Sequence, residues 1–587
     1  LSISGGTVNL QNSTLALGGS FSNTGGSLTL SGTDLELLSN LSLSSNSAVT
    51  FDSYQPNGLN LVLSDNSTGN ISLGTITLVS ENIEVLGGTL SLAGGSVGAN
   101  GLIEVGEQGN LSLLGNLAVA GTLDLNDGAN LNLANNATAN LSGGQLELAG
   151  SHVLNGITTN ASTTLQINSS GSISRTDSGT STVGDLLLVP AEGSSSASLD
   201  VSDMSLTVGG TSPQFNDADI TLNSANLNFQ NSPTFDNGST LSVKNSGELI
   251  LQSGATINDS SLDFTSSTFK PSGAVSLTGS SHFTFDSGSS VMLEGDSALS
   301  QSGSVTWPSP DLNGNALTLN VGNMTIDGAQ SIGTGESLNS GVSNLSLNST
   351  LSIDEGGTLS SGSGALEIGG ALTLDGELAQ GGGILNLILG GSVGTTGELD
   401  VKDSELKLGD ELSFAGTLVV NSGTSWSGLG GTVDLSTGTL ESGGGTFNLD
   451  DFTIGANSTF RLSGDTEISS ASDLTLGNLE LGGNKLSLDF ASVNNATLIL
   501  PNTLAMDTAG SIIDTGDSSL TLSNALQLSS GEITSTGGTL SFTGGLTMGA
   551  SGVLDVTGST LSAGQVLDLS SGTFSSSNTS ILRLQSA

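Results

Sequence analysis

The residues with the most chemistry to offer are the carboxylates between positions 398 and 411. Six acidic residues and two lysines lie there: Glu398, Asp400, Lys402, Asp403, Glu405, Lys407, Asp410 and Glu411. Two carboxyl groups can catalyse the hydrolysis of a glycosidic bond when they lie on either side of it, about 5 to 9.5 Å from each other. Strand alternation, however, places Lys402 on the same face as Asp400 and opposite to Asp403, so the pattern fits same-face ion pairs as well as it fits a catalytic site. We predict a solvated charged surface here.

Nucleophilic catalysis would have to use one of two histidines, His152 and His282. His282 and Asp286 lie on one face of a predicted strand, but four residues separate them, which is too far for direct contact. No G-x-S-x-G segment stands between a strand and a helix, the context in which such a serine becomes an exposed nucleophile. We therefore predict no catalytic residue and expect that the protein is not an enzyme.

Metal and cofactor chemistry is equally sparse. The chain has no cysteine, and neither an EF-hand loop nor the G-G-x-G-x-D calcium repeat is present. Calcium would find only the side chains and carbonyls of corners, for example at Asp124, Asn126 and Asp127, and its binding there would be weak. We predict no resident cofactor and no dedicated metal site.

Two tryptophans, Trp307 and Trp426, are the candidate exposed residues for ligand contact. Residues 306–310 read Thr-Trp-Pro-Ser-Pro, and two prolines so close together favour a loop that leaves regular structure. Loops on a rigid scaffold are where binding residues concentrate. A carbohydrate-binding module with its platform between residues 150 and 350 is accordingly one alternative function. A polysaccharide-degrading enzyme is the other.

The charge balance restricts the partners. Eight basic residues face 54 acidic ones, for a net charge of −46, and no Lys or Arg precedes Arg175. Nucleic acids and anionic lipids bind clustered Lys and Arg, so nucleic acid is excluded as a partner. No apolar run approaches the roughly 18 residues of a membrane span, and we expect no membrane insertion by this segment.

A short repeat runs through the chain. Residues 110–127 read NLSLLG, NLAVAG, TLDLND, and residues 365–382 read ALEIGG, ALTLDG, ELAQGG. Apolar and polar residues alternate within each unit, which predicts strands with one buried face. Gly, Asn and Asp at the unit ends supply tight corners. The side chains expected to point inward recur at six-residue spacing: Leu111, Leu117, Leu123, Leu366, Leu372 and Leu378.

Units this short bury their apolar side chains only when coils stack on one another. The sequence therefore predicts an all-β fold, a single parallel β-solenoid across residues 1–587. Three faces of six residues, with small insertions, make a coil of roughly 18 to 24 residues. About 25 to 30 coils at the spacing of adjacent strands give a rod of about 120 to 145 Å. Residues 150–350 hold seven of the 16 Phe and six of the eight Pro, which predicts a less regular middle section with inward Phe stacks.

Segments such as GGTLSLAGG at 87–95, GGTLSFTGG at 537–545 and the run from residue 109 to 133 resemble the β-helical shafts of bacterial autotransporter passengers and filamentous haemagglutinin-like adhesins. The resemblance covers most of the chain. It implies export to the surface of a Gram-negative bacterium and a role in adhesion, aggregation or surface coating. It implies no particular functional residue.

The two ends of the sequence stay within the repeat. Residues 1–8 alternate at once, and residues 581–584 still alternate. A terminal coil presents unpaired backbone groups and an apolar cross-section. We therefore expect either that the rod continues beyond this sequence or that copies stack head to tail. In both cases we expect an extracellular structural or adhesive fibre, with surface glycans or other cells as further partners.

Overall fold

The computed structural model describes most of the chain. The described residues are 1–24, 27–31, 33–45, 49–51, 53–55, 58–63, 70–134, 137–141, 144–155, 157–160, 163–176, 179–188, 197–211, 213–426, 431–490, 496–577 and 579–584. They fall into two compact units, Leu1–Ser300 and Gln301–Ala587, called here the first and second units.

The predicted fold class is confirmed. Strands make up 62% of the residues, and no helix occurs in the described part of the chain. In each of the two units the strands stack as the parallel coils of a β-solenoid, with about 25 turns in all. That the solenoid runs as one body through residues 1–587 stays a prediction. No described residues form a helix that is long and apolar enough to cross a membrane.

The coil length agrees with the prediction in both units. In the first unit Thr240 pairs with Ser261, and Ser261 pairs with His282, so two successive turns are equal in length and fall within the predicted range. In the second unit the pairing of Ser337 with Thr358 spans a turn of that same length. Longer coils that exceed the predicted range occur in both units, because Ile173 pairs with Val201 in the first and Lys485 pairs with Ile512 in the second.

Most turns contain three strands, one on each face of the coil. Residues 1–174 form these strands: Ser2–Ile3, Thr7–Gln11, Thr14–Asn23, Ser27–Ser31, Asp34–Ser45, Val49–Thr50, Ser53–Gln55, Leu61–Leu63, Asn70–Leu78, Asn82–Val97, Leu102–Leu113, Leu117–Val119, Thr122–Leu125, Asn130–Leu133, Ala139–Asn140, Gln145–Val153, Ile157–Thr158 and Thr164–Ser174. The longest of them, such as Asn82–Val97, bend around a corner and pair with strands of two different faces.

Between residues 180 and 308 the three faces are separate columns. One column holds Ala197–Ser202, Ala218–Asn223, Thr240–Lys244, Ser261–Thr265 and His282–Phe285. The second holds Thr180–Val183, Ser205–Val208, Asn226–Phe229, Glu248–Leu251, Thr268–Pro271 and Ser290–Val291. The third holds Asp185–Leu188, Gln214–Asn216, Thr234–Asp236, Ala255–Asn258, Gly273–Thr278 and the start of Ser297–Pro308.

The second unit repeats this arrangement up to about residue 480. Its first column holds Ala316–Asp327, Ser337–Gly341, Thr358–Ser361, Glu377–Gln380, Glu398–Asp400, Thr417–Val420, Thr439–Ser442, Thr459–Leu462 and Asn478–Glu480. Its second holds Asn344–Leu347, Ala365–Ile368, Ile384–Leu387, Glu405–Leu408 and Ser425–Trp426. Its third holds Gln330–Ile332, Leu351–Ile353, Leu372–Leu374, Gly391–Val393, Leu412–Phe414, Val433–Leu435 and Phe452–Ile454.

The strands of the remaining coils belong to two further sheets. The first of these sheets covers two faces, because Leu526–Thr534 and Leu546–Asp555 each pair with two strands of a neighbouring coil. One holds Gly445–Asn448, Thr466–Ser469, Lys485–Leu488, Ala505–Met506, Ile512–Asp514, Leu526–Thr534, Leu546–Asp555, Leu567–Asp568 and Thr573–Ser575. The other holds Leu474–Thr475, Thr497–Leu500, Ser519–Leu522, Thr539–Phe542, Thr560–Ala563 and Ile581–Leu584.

The core of each unit is a stack of inward aliphatic side chains. The leucines that the repeat predicts to point inward are at most 1% exposed: Leu111, Leu117, Leu123, Leu366, Leu372 and Leu378. Because strands from successive coils pair in register, leucine stacks on leucine, as in the pair Leu345 and Leu366. Narrow layers of one or two inward side chains per strand are filled well by Leu, Val and Ile.

The predicted inward Phe stacks are confirmed in the first unit. Phe215 stacks on Phe235 with ring centroids 4.9 Å apart, and Phe229 meets both edge-on. Phe264 stacks on Phe285 at 4.8 Å. The register of the coils that carry these rings runs without a shift. Lower regularity of residues 150–350 as a whole stays a prediction.

Candidate functional site

The structure corrects the prediction that Trp307 lies on an exposed loop. Residues 297–308 form a strand, and Val305 and Trp307 alternate with exposed Thr306. Trp307 is only 1% exposed, so its ring belongs to the core of the second unit. The segment beyond it is tied down as well, because the Ser309 hydroxyl donates to the Ala329 carbonyl at 2.6 Å. A proline at the end of a strand removes no hydrogen bond that the sheet requires, so the two prolines do not force a loop here.

Trp426 also points inward, although it keeps part of its surface exposed. It pairs in register with Leu406, a buried core residue. Its ring meets Phe452 edge-on with the centroids 5.0 Å apart. The expected pair of outward-facing aromatic residues is therefore absent at these two positions.

The acidic stretch at residues 398–411 forms same-face ion pairs. The Lys402 ammonium lies 3.0 Å from the Asp400 carboxylate, and that of Lys407 lies 3.5 Å from Glu405. Asp403 sits at a corner, where its carboxylate accepts a hydrogen bond from Asn421 Nδ2 at 3.0 Å. The carboxylates are thus distributed along a surface and do not converge on a cleft.

The two histidines lack the surroundings of a catalytic base. His152 is buried, with Nε2 2.7 Å from the Ala149 carbonyl oxygen. His282 is exposed, with Nδ1 3.3 Å from the Ser280 carbonyl oxygen. The carboxylate of Asp286 instead accepts hydrogen bonds from the Ser289 hydroxyl and the Ser266 amide, at 2.6 and 2.9 Å.

A column of four carboxylates on the first unit was not predicted. Glu84, Glu104, Asp124 and Glu147 occupy paired positions on four successive strands, all half-buried. Adjacent strands lie about 4.8 Å apart, so like charges stack directly on one another. Burial, together with repulsion from Glu147 and Glu104, raises the pKa of Asp124 to about 7. The recurrence of an acidic residue once in each coil was the only signal in the sequence.

Of the three residues predicted to form a calcium corner, Asp124 lies on strand Thr122–Leu125 within this column, and only Asn126 and Asp127 lie beyond the strand. Asn126 Nδ2 donates to Glu104 Oε1 at 3.2 Å, while Asp127 is exposed in the following turn. In the part of the chain that the structure describes, no three His, Asp or Glu side chains are grouped closely enough to hold a metal ion. Weak calcium binding at this corner stays a prediction.

The pKa of Asp124 predicts a pH dependence of stability. A carboxyl whose folded pKa exceeds its usual value of about 3.8 binds its proton more tightly in the folded chain,. Its contribution to the free energy of unfolding is therefore fully present only below about pH 3.8, declines as the pH rises above that value, and is lost once the pH has passed about 7,. We expect the thermal midpoint of the first unit to fall over this range by more in the native chain than in Asp124→Asn, as differential scanning calorimetry can measure.

The control for this experiment is Asp127→Asn, which removes an equal charge from an exposed turn. It should keep the pH dependence of the native chain. Identical midpoint curves for the native chain and Asp124→Asn between pH 4 and 8 would contradict the prediction. Added salt should weaken the effect, since part of it is repulsion between partly exposed charges.

A polar groove of about 580 Å³ on the second unit was also not predicted from the sequence. It is lined by Glu467, Lys485, Asp489, Asp514 and Asp517, among others. The Lys485 ammonium lies 2.7 Å from the Asp514 carboxylate, which lowers the pKa of Asp514 and joins adjacent coils. The one lysine in the groove is thus engaged in an ion pair.

Outer polar side chains repeatedly bond to an equivalent side chain one coil away. Asn245 Nδ2 donates to Asn223 Oδ1 at 2.6 Å, and Asn344 Nδ2 donates to Asn323 Oδ1 at 3.0 Å. Charged groups do the same. The Arg461 guanidinium lies between two carboxylates of the neighbouring coils, 3.6 Å from Glu441 and 2.8 Å from Glu480.

In the first and last described coils, apolar side chains at inward-facing positions are exposed to solvent. Val8 pairs with buried Leu28 but is itself 37% exposed. Leu582 pairs with buried Leu561 and is 55% exposed, and Leu584 is more exposed still. Among the described residues, these side chains have a neighbouring coil on one side only.

Comparison of the chain with protein-family models, with curated proteins and with solved structures gives no match.

Proposed function

We propose that this chain is a structural or adhesive β-solenoid of the extracellular surface, the subunit or shaft of a fibre. The observation that carries the proposal is the use of outer polar side chains as bonds between coils, as at Asn245, Asn344 and Arg461. A repeated bond between neighbours stiffens a stack, whereas a catalytic or binding site requires groups that converge on one place.

The proposed main partner is a second copy of the chain, stacked head to tail. Strand Ile581–Leu584 has a paired neighbour on one edge, and its inward Leu582 and Leu584 are exposed. Strand Thr7–Gln11 is in the same position at the other end, with Val8 exposed. An open strand edge with an apolar cross-section is completed by another coil of the same geometry, and such head-to-tail contacts produce filaments.

The charge supports a function that does not involve nucleic acid. A net charge of −46 repels phosphate backbones and discourages side-by-side association of copies,. End-to-end contact leaves this charge on the outer faces, where it is solvated. We propose no turnover and no resident cofactor, and location on the surface of a Gram-negative bacterium rests on the resemblance alone. Glycan binding through Trp307 or Trp426 draws no support from their inward orientation.

Negative-stain electron microscopy of the full chain tests the proposal. We expect filaments, and we expect Leu582→Asp to prevent them, because a charge at the open end would be buried in the contact. The matched control is Leu114→Asp, which places the same charge at an exposed leucine on the side of the first unit. It should leave the filaments intact.

Two results would contradict the proposal. One is a monodisperse single subunit at high protein concentration, measured by light scattering. The other is release of products from a polysaccharide that is abolished by changing Asp403 or Glu405. Circular dichroism of each variant checks that the β-structure is retained.

A further inference from the structure

Three polar side chains point into the aliphatic core of the second unit on successive coils. Ser361 pairs in register with Gln380, and Ser340 lies in the preceding coil next to a small register shift. All three are at most 4% exposed. The corresponding residues of the coils before and after are Leu319 and Val401, so the polar segment is confined to three coils.

Hydrogen bonds fix the orientation of the Gln380 amide. Its Nε2 donates to the carbonyls of Gly362 and Gly364, both at 2.9 Å. Two carbonyl acceptors require the nitrogen at this position, so Oε1 is turned the other way and acts only as an acceptor. A Cβ added at Gly383 would lie 2.6 Å from Nε2, which shows that the glycine leaves room for this amide.

The oxygens of the three side chains remain without a bond. Gln380 Oε1, Ser361 Oγ and Ser340 Oγ have no hydrogen-bond partner among the described residues. Buried polar atoms in folded proteins nearly always have a hydrogen bond, because a buried atom without one loses its bonds to water and gains none in the protein. Three such atoms on successive coils therefore indicate a partner that can hydrogen-bond to neutral oxygens inside the core.

We propose that Ser340, Ser361 and Gln380 form an internal hydration site that binds water inside the solenoid. Water can donate to Gln380 Oε1 and accept from the serine hydroxyls, so water bound between these side chains supplies the missing hydrogen bonds. Calcium or magnesium is a poor fit because their sites normally include carboxylates, and each of these three oxygens is neutral. The site is independent of the function proposed above.

A crystal structure of the chain tests the site directly. We expect a density peak within about 2.6–3.2 Å of Gln380 Oε1 and of at least one serine Oγ. Density without such a peak overturns the proposal. A peak with the short distances and six or more oxygen ligands of a metal ion overturns it as well.

A double-mutant cycle provides a test in solution. Ser340→Ala and Ser361→Ala should each speed amide exchange in residues 337–341 and 358–361 by about fivefold, the equivalent of one ordinary hydrogen bond. In the double variant, the increase in the exchange rate should be smaller than the product of the two separate increases, because both hydroxyls bind the same water. The control pair is Ser361→Ala with Ser442→Ala, four coils apart, whose effects should multiply.

The double-mutant cycle can also overturn the proposal. If the hydroxyls lacked a partner, removing them would slow exchange or leave it unchanged, since a buried unbonded group would be lost. Slower or unchanged exchange in the single variants, or effects of Ser340→Ala and Ser361→Ala that multiply independently, would overturn the proposal.

Discussion

Replacing Leu117 by aspartate is expected to open the coils around strand Leu117–Val119 at a cost of about 3 to 5 kcal/mol,. Leu117 is fully buried and lies between Gly95 and Ala139 of the adjacent coils. No Lys or Arg precedes Arg175, so the new carboxylate would find no cation nearby. A charge in an aliphatic layer either remains unpaired or forces the layer apart to reach water. Hydrogen-exchange mass spectrometry should show faster exchange in residues 95–140.

Ala118→Asp is the matched control for this change. Ala118 is the next residue of the same strand and is exposed on the outer face between Ser96 and Asn140. The same carboxylate would remain in water there, and exchange in residues 95–140 should stay close to that of the native chain. Equal effects of the two substitutions would show that the inward orientation of Leu117 is wrong.

Gly121→Ala is expected to destabilise the same region by about 1 to 3 kcal/mol. A Cβ at Gly121 would lie 2.2 Å from the Gly101 carbonyl oxygen and 2.4 Å from that of Gly98. Both oxygens belong to the backbone of the preceding coil, and Gly101 O also accepts the Thr122 amide at 3.0 Å. Relief of the contact must therefore move paired backbone, which lowers the thermal midpoint measured by calorimetry.

Gly5→Ala serves as the control, because a Cβ at Gly5 would meet nothing within 4 Å. It adds the same methyl group in the same unit, so both variants change the unfolded chain alike. A midpoint for Gly121→Ala at or above that of Gly5→Ala would contradict the close contact between the coils at this corner.

Much of the fold was readable because its signals are local. Alternation with a period of two sends Leu111 and Leu113 to one face whatever lies elsewhere in the chain, and both are buried,. The same rule, applied to Val305 and Trp307, would have placed the tryptophan in the core. The two nearby prolines outweighed it in the sequence analysis, although a proline at a strand end is tolerated.

The contacts between coils could not be read in this way. Glu104, Asp124 and Glu147 stack although the chain segment from Asp124 to Glu147 is longer than the segment from Glu104 to Asp124. The segment from Lys485 to its partner Ile512 is longer still. Corners absorb these insertions, so sequence spacing does not tell which side chains of successive coils become neighbours. Alternation along a strand therefore established the inward and outward faces. Only the folded register brought the carboxylates together on one face and the three polar side chains of the hydration site together in the core, because pairing between coils depends on the length of every intervening corner.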